Sequence, residues 1–393
     1  MNNPKLALIP SGYKAEKVYS VLPSDGSGDF TFDRANGLAT RINKEGLLEE
    51  VANDTPRLDY SNGTCPVLLL EPQSTNLVTY SNDISQSSWL KQSGGIGSAP
   101  VVTSNYIASP DGSLNASRVI FNINGGTATA DLSQIADFVT ASIGGVTNSI
   151  WVKSNTTSNY TMSLLGASGS FISIVVTNEW QRFEVNTITT GASSSLKLRL
   201  RGSESTSDYA DVAVWGGQIE EQSFATSTIT TEGSVKTRFE EVCGNAGDAN
   251  LFDSNEGTMF VDIQKAFKDT SFGRISISDG STNNRIVIGK QNDNAQFKMF
   301  VTTSGTIVAE KFTNTDFDVQ NKFAISWKLN DFKFYQNGSL IHSDTLGAIP
   351  IGFSKFAFNE NNLGSQDFFG EINGVRYYDT VLTEAEAKQL TTI

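Results

Sequence analysis

The sequence predicts an all-β protein: tandem antiparallel β-sandwiches, with a small β-rich N-terminal segment and a short C-terminal helix. Three observations carry that expectation. Ser, Thr, Asn and Gly fill the polar positions, and charged residues make up 18% of the chain, against about 25% in an average domain. Extended runs with period-two alternation recur between turn-forming clusters, with no helical period between them. The 393 residues also exceed what one core serves, since domains mostly run to roughly 100–200 residues, so two or three units are expected.

Residues 1–80 read as a β-rich docking segment. The runs LALIP, KVYSVLP and DFTFDR are broken by turn chemistry, and Phe30 and Phe32 alternate with Thr31 and Asp33 to put two rings on one strand face. ATRINKEGLLEEV follows as two short strands about a Lys44-Glu45-Gly46 turn, and Cys65 to Leu70 is one buried strand.

Residues 81–235 read as the first sandwich. Its runs include SRVIFNI, NSIWVKS, YTMSLLG, FISIVVT, WQRFEVNTI, LKLRLRG and DVAVWGGQI. Leucines 196, 198 and 200 face one way, and Lys197, Arg199 and Arg201 the other, so one face is buried and one wet. Trp151, Trp180 and Trp215 lie in or at the start of apolar runs, where a core position is the commoner use and a sugar-stacking platform the alternative. Trp89, in a polar stretch ahead of the first strand, is the better candidate for exposure.

Residues 236–250 read as a linker ending in a GNAGD turn, and 251–393 as the second sandwich. There Asn337-Gly338, between apolar alternations, supplies the two positive-φ residues of a tight I′ hairpin turn. At the end, Thr383 with Glu386 three residues on forms a capping box, which predicts a terminal helix.

With 29 basic residues against 42 acidic, the net charge is −13, and no basic run could neutralise a phosphate backbone, so nucleic acid is excluded as the expected partner. The N-terminus has no basic region leading into an apolar run, and no stretch approaches the ~18 apolar residues of a membrane span, so neither secretion nor membrane insertion is expected. Cys65 and Cys243 are too few for a disulfide framework or a structural zinc site, and reduced thiols are expected.

Two stretches carry a resemblance. GEINGVRYYDTVLTEAEAKQL, preceded by FYQNGSLI, resembles the ending of laminin-G-like, concanavalin A-type jelly rolls; WQRFEV with VWGGQIEEQSFATSTITTEGSVKTR resembles carbohydrate-binding-module-like jelly rolls of bacteriophage proteins. FTFDRANGLATRINKEGLLEEVANDTPRLDY with CPVLLLEPQSTNL looks like the leading segment of that family of phage virion structural proteins, and Thr237-Arg238 to Val242-Cys243 looks like its inter-domain join. The resemblance implies a structural component of a phage particle (head or tail fibre, or capsid decoration). It would be located in the virion beside other virion proteins and homo-oligomeric, with a trimer as one form, and would present lectin-like sandwiches to host-surface glycans. The alternatives are a glycan-degrading enzyme and a free-standing carbohydrate-binding adhesin.

The residue patterns of the common catalytic centres are missing from the sequence. His342, the single histidine, lies in the strand SLIHSD and leaves little room for a Ser-His-Asp or Cys-His centre. Glycoside hydrolysis needs two carboxylates about 5–5.5 Å or about 6.5–9.5 Å apart, and the Glu-x-Asp-x-x-Glu strand of jelly-roll glucanases does not occur. The pairs Glu49-Glu50, Glu220-Glu221 and Glu240-Glu241 point to opposite faces if extended and read as solvated charge. The chain is therefore expected not to be an enzyme. No cofactor is called for, apart from a structural Ca²⁺ that rim loops could hold through Asp279, Asn283 and Asp293, the loop Asp25 to Asp29 being another candidate. Trp89, Tyr209 and Tyr335 are the candidates for a carbohydrate-binding surface.

Overall fold

The computed structural model describes residues 3–12, 17–35, 39–268, 271–292, 296–361 and 365–393. The fold is all-β, with antiparallel ladders in every named sheet and one short helix near the C-terminus.

In the middle sandwich, one sheet runs Ser98–Ala108, Leu114–Asn122, Tyr209–Glu220, Gly144–Ser154, Gln181–Thr189. The other runs Phe171–Val176, Tyr160–Leu165, Ser194–Arg201, Leu132–Val139, Leu90–Gly94. Between them lie Val119, Phe121, Ile135, Ile150, Met162, Val212 and the expected leucines 196, 198 and 200. A residue type that alternates at period two can fill a core from both sheets at once, which is why this unit was readable strand by strand.

In the second sandwich, a five-stranded sheet (Thr306–Asn314, Gln296–Thr303, Arg285–Lys290, Gly273–Ser278, Lys355–Ala357) packs on a larger one through Ile275, Ile288, Met299, Phe323, Trp327 and Phe334. The larger sheet is not made from the C-terminal third alone. Its strand Gly370–Tyr378 pairs on one side with Glu256–Ala266, and on the other with both Leu6–Leu8 and Val67–Leu70. Ser20–Leu22 and Arg57–Asp59 extend the same sheet. The segment expected to stand apart as a docking piece thus supplies strands to the C-terminal core, and Leu6, Leu8, Leu68 and Leu70 are buried in it. Its partners lie some 300 residues away, where local patterning carries no information.

Nor does the stretch 236–250 hang free. Lys236–Arg238 pairs with Ser74–Asn76, and Val242–Gly244 with Thr31–Asp33. The hairpin of Ala39–Ile42 and Leu48–Val51 turns at Gly46, whose positive φ the tight turn requires. It lies across the outer face of the middle sandwich, where Leu48 and Ile42 cover Trp215, Trp151 and Trp180. Trp151 and Trp215 are direct cross-strand partners on that face. The tryptophans therefore pack under the hairpin rather than in the core between the sheets.

The Asn337-Gly338 turn has φ of 46° and 78°, as a I′ turn needs. The helix Glu384–Thr391 carries the capping box of Thr383 and Glu386, and buries Ala387 and Leu390 against Phe260, Tyr335 and Tyr378.

Candidate functional site

The three sequence regions meet at a buried ion network. Arg34 and Arg57 donate to Glu241, with N–O distances of 2.8 Å from Arg34 and 2.7 Å from Nε of Arg57. Arg57 also reaches Glu71 at 2.7 Å, and Arg238 pairs with the same carboxylate. Ser227 donates both its backbone N–H and its hydroxyl to Glu71, at 2.7 Å each. All five charged side chains are buried, and such charges are tolerated only when paired and hydrogen-bonded. Burial pushes the Glu71 carboxyl up, but the Arg238 and Arg57 guanidiniums outweigh it and hold it down at about 2.

That sign sets an acid sensitivity. A carboxyl whose folded pKa lies below its unfolded value contributes stability above the unfolded value, and this contribution is lost as pH falls from about 4.5 towards about 2. Thermal melts across that window should show a falling midpoint, and Glu71→Gln should flatten the slope.

Glu241 and Glu220 correct the reading of the paired glutamates as solvated charge. Glu220 is buried and accepts from the Ser74 and Thr226 hydroxyls and from the Thr226 N–H, while its neighbour Glu221 is exposed. In both pairs one member is exposed and the other buried, and the buried one is structural. Above the network, a cleft of about 230 Å³ is lined by Arg41, Asp59, Trp151, Arg182, Lys265 and Glu371, among others. Burial raises the Glu371 carboxyl, although Asn62 donates to it at 2.6 Å.

Of the aromatic residues expected at a binding surface, two are inside. Trp89 is 1% exposed; its ring fills the middle core beside Gly217, where a Cβ would come within 2.7 Å of it, and its Nε1 donates to the Tyr80 carbonyl at 2.8 Å. Tyr335 is 0% exposed: it does point away from Phe334 and the main core, but the terminal helix covers that face. Tyr209 is 41% exposed. It stands near Tyr106, itself 44% exposed, and Arg118, which lies over the Tyr106 ring and pairs with Asp211.

The proposed calcium loop is occupied by its own hydrogen bonds. Asp279 accepts from the N–H and hydroxyl of Ser281 and from the Asn284 amide, an Asx-turn arrangement. Asn283 is exposed beside it, and Asp293 lies outside the described residues. In the other loop, Asp25 caps Ser27, and Asp29 accepts from the Ser20 N–H and pairs with Lys17. Among the described residues, no group of three His, Cys, Asp or Glu side chains could hold a metal ion. Cys65 is exposed and Cys243 buried, both as free thiols. His342 lies against Phe334 with ring centroids 5.6 Å apart.

A surface that sequence reasoning missed lies along the rim of the middle sandwich. Tyr80 is held by a bridge to Glu232 and by the Trp89 bond to its carbonyl. Around it, a depression of about 280 Å³ is lined by Asn82, Asp83, Gln86, Asn105, Asn115 and Glu232. Asn82, Asn115 and Glu232 are shared with a second depression of about 570 Å³ that continues to Asn43, Glu49 and Asp111 on the covering hairpin and the adjoining turn. The Asn115 Oδ1 is buried without a hydrogen-bond partner. Burial pushes the Asp83 carboxyl up, but hydrogen bonds from Ser85, Gln86 and Ser104 draw it below the usual range. The result is a half-buried tyrosine ringed by amide donors and acceptors and by an ionised carboxylate. The run Tyr-Ser-Asn-Asp at 80–83 was the local signal, but Asn105, Asn115 and Glu232 join it only through the fold.

No family model matches the chain. The curated relatives are β-glucanases: that of Bacillus amyloliquefaciens is 35% identical over 92 residues, and that of Bacillus licheniformis 34%. The match takes in 22% of this chain and 37% of each enzyme, so the chain spans about a third of the length of the curated relatives it matches. Among solved structures, CBM40 of the Ruminococcus gnavus IT-sialidase, bound to α2,3-sialyllactose, aligns at a TM-score of 0.32 with 15% identity, over 38% of this chain and 94% of that one. Domain 4 of a Geobacillus stearothermophilus arabinanase, in complex with arabinotriose, aligns at 0.32 with 18% identity, over 39% and 73%. Bacillus licheniformis β-glucanase aligns at 0.27 with 21% identity, over 36% and 72%.

Proposed function

We propose that this chain is a glycan-binding structural protein of a bacteriophage particle, a fibre or decoration component that works as a homo-oligomer beside other virion proteins and turns over no substrate. The observation that carries the glycan-binding part is the Tyr80 groove. Its amides and ionised carboxylate suit sugar hydroxyls, Asn115 brings an acceptor with no partner of its own, and the ring offers a face for stacking. Asp83 is held ionised there, so it offers no proton to a leaving group, which favours binding over hydrolysis. The local β-glucanase similarity supports a β-glucan as the first ligand to try. The virion assignment rests on the resemblance of the N-terminal and connecting segments to phage structural proteins.

Calorimetric titration with β-glucan oligosaccharides tests this reading. Tyr80→Ala should weaken binding about tenfold, the loss of about 1.4 kcal/mol of contact, with an unchanged circular dichroism spectrum. Unaltered affinity would remove the groove from consideration. Light scattering on the full chain tests the oligomer, and labelling of purified particles with an antibody tests the virion location.

One observation favours a second reading. The cleft above the ion network holds Glu371, raised by burial, with Asp59 nearby, and a raised acid beside a second carboxylate is the pattern of glycoside hydrolysis. Sustained release of reducing ends from β-glucan, abolished by Glu371→Gln, would replace the non-catalytic reading with that one.

A further inference from the structure

At the end of the strand Leu132–Val139, beside a depression that shares no lining residue with the Tyr80 groove, the middle sandwich buries a carboxyl with no counter-charge. Asp137 is 3% exposed. It shares the inward parity of Ile135, a core residue, and its Oδ2 has no hydrogen-bond partner. The Ser88 hydroxyl stands beside it, and burial drives the carboxyl up to about 6 against that neighbour and the Phe138 backbone. No arginine or lysine among the described residues contributes to its ionisation. Lys197 is close in sequence register, being paired with Ala136, but its ammonium lies over the Phe138 ring and contributes nothing to the Asp137 ionisation.

A lone buried carboxylate is among the least stable arrangements a fold can keep, and one that persists beside open space marks a binding position. Open space is there. Asp137 lines a depression of about 480 Å³ whose walls are apolar at Leu90, Phe138 and Val235, with hydroxyls supplied by Thr79, Ser88 and Thr140. Leu90, Phe138 and Val235 are themselves exposed. The missing partner must bring a positive charge, must tolerate apolar walls, and gains from hydroxyl neighbours.

We propose that this depression binds an amino sugar bearing a free ammonium group, with the ammonium on Asp137, the ring's C–H face on Phe138 and Leu90, and the ring hydroxyls on the threonine and serine side chains. A neutral sugar would leave Asp137 uncompensated, and an N-acetylated one would put an uncharged amide where the charge is needed. The ligand class rests on the glycan-binding reading above, but the site is separate from the Tyr80 groove.

The test is titration of the full chain at pH 7.5 with glucosamine oligomers, with N-acetylglucosamine oligomers and hexylamine as the other arms. The expected result is binding of the glucosamine oligomers at least tenfold tighter than either. Asp137→Asn, nearly the same shape, should abolish that preference, and Phe138→Ala should weaken binding several-fold with an unchanged melting profile. Equal affinity for the N-acetylated oligomers, equal affinity for hexylamine, or wild-type binding by Asp137→Asn would each overturn the proposal. Tyr80→Ala separates the two sites. Failure of the β-glucan reading with the glucosamine preference intact leaves this site standing, and retained β-glucan binding without that preference removes this site alone.

Discussion

Replacing Glu241 with alanine should cost about 3–5 kcal/mol of folding stability, the size of effect seen when a buried charge pair loses one member. The loss goes beyond the hydrogen bonds themselves. Arg34 and Arg57 both donate to this carboxylate, and without it Arg57 is left with Glu71, itself shared with Arg238, while Arg34 keeps only the more distant charge of Asp54. The Glu71 backbone N–H loses its acceptor at the same time. Since Arg34, Arg57 and Glu71 come from the first segment and Arg238 and Glu241 from the connection between the sandwiches, the damage should fall on the junction. Urea unfolding followed by tryptophan fluorescence measures it. Glu241→Gln, which keeps the shape and removes the charge, should fall between wild type and alanine. A loss below 1 kcal/mol for the alanine variant would mean that the network does not clamp the segments together.

Trp89→Ala should cost a similar 3–5 kcal/mol, the usual range for emptying a buried aromatic site. The indole fills the middle core against Gly217, and its N–H satisfies the Tyr80 carbonyl. The variant therefore leaves a cavity and an orphaned acceptor together. It should also weaken ligand binding in the groove without touching a ligand, because Tyr80 loses the bond that fixes its backbone. Denaturant titration gives the first effect and calorimetry the second. Binding that survives intact in a destabilised Trp89→Ala protein would show that Tyr80 is placed by its bridge to Glu232 alone.

What local pattern determines is legible in the sequence alone. The leucines 196, 198 and 200, the Asn337-Gly338 turn and the Thr383–Glu386 capping box each depend on residues within a few positions of one another. The failures have a common cause, which is that period-two alternation says which way a side chain points but not what comes to cover it. Tyr335 points away from the main core as alternation requires, yet a helix some 50 residues later lies over it. Glu220 and Glu241 point away from their exposed neighbours, into partners set by distant strands. The polar neighbours of Trp89 in sequence point to exposure, but the ring itself turns inward. The Tyr80 groove was hidden for the same reason, being assembled from residues near positions 80, 105, 115 and 232.

The pairing of Leu6 with Tyr377 has a consequence for how the chain is made. A ribosome adding about 5–20 residues per second takes roughly 20–75 seconds to travel between those two positions. For that interval the strand Leu6–Leu8 lacks its neighbour in Gly370–Tyr378, while the middle sandwich, whose ladders close within residues 90–220, is free to fold. The nascent protein thus carries a finished central unit with an apolar strand ahead of it that has one edge still uncovered. A release experiment should find protease protection of the middle unit well before protection of the first 70 residues.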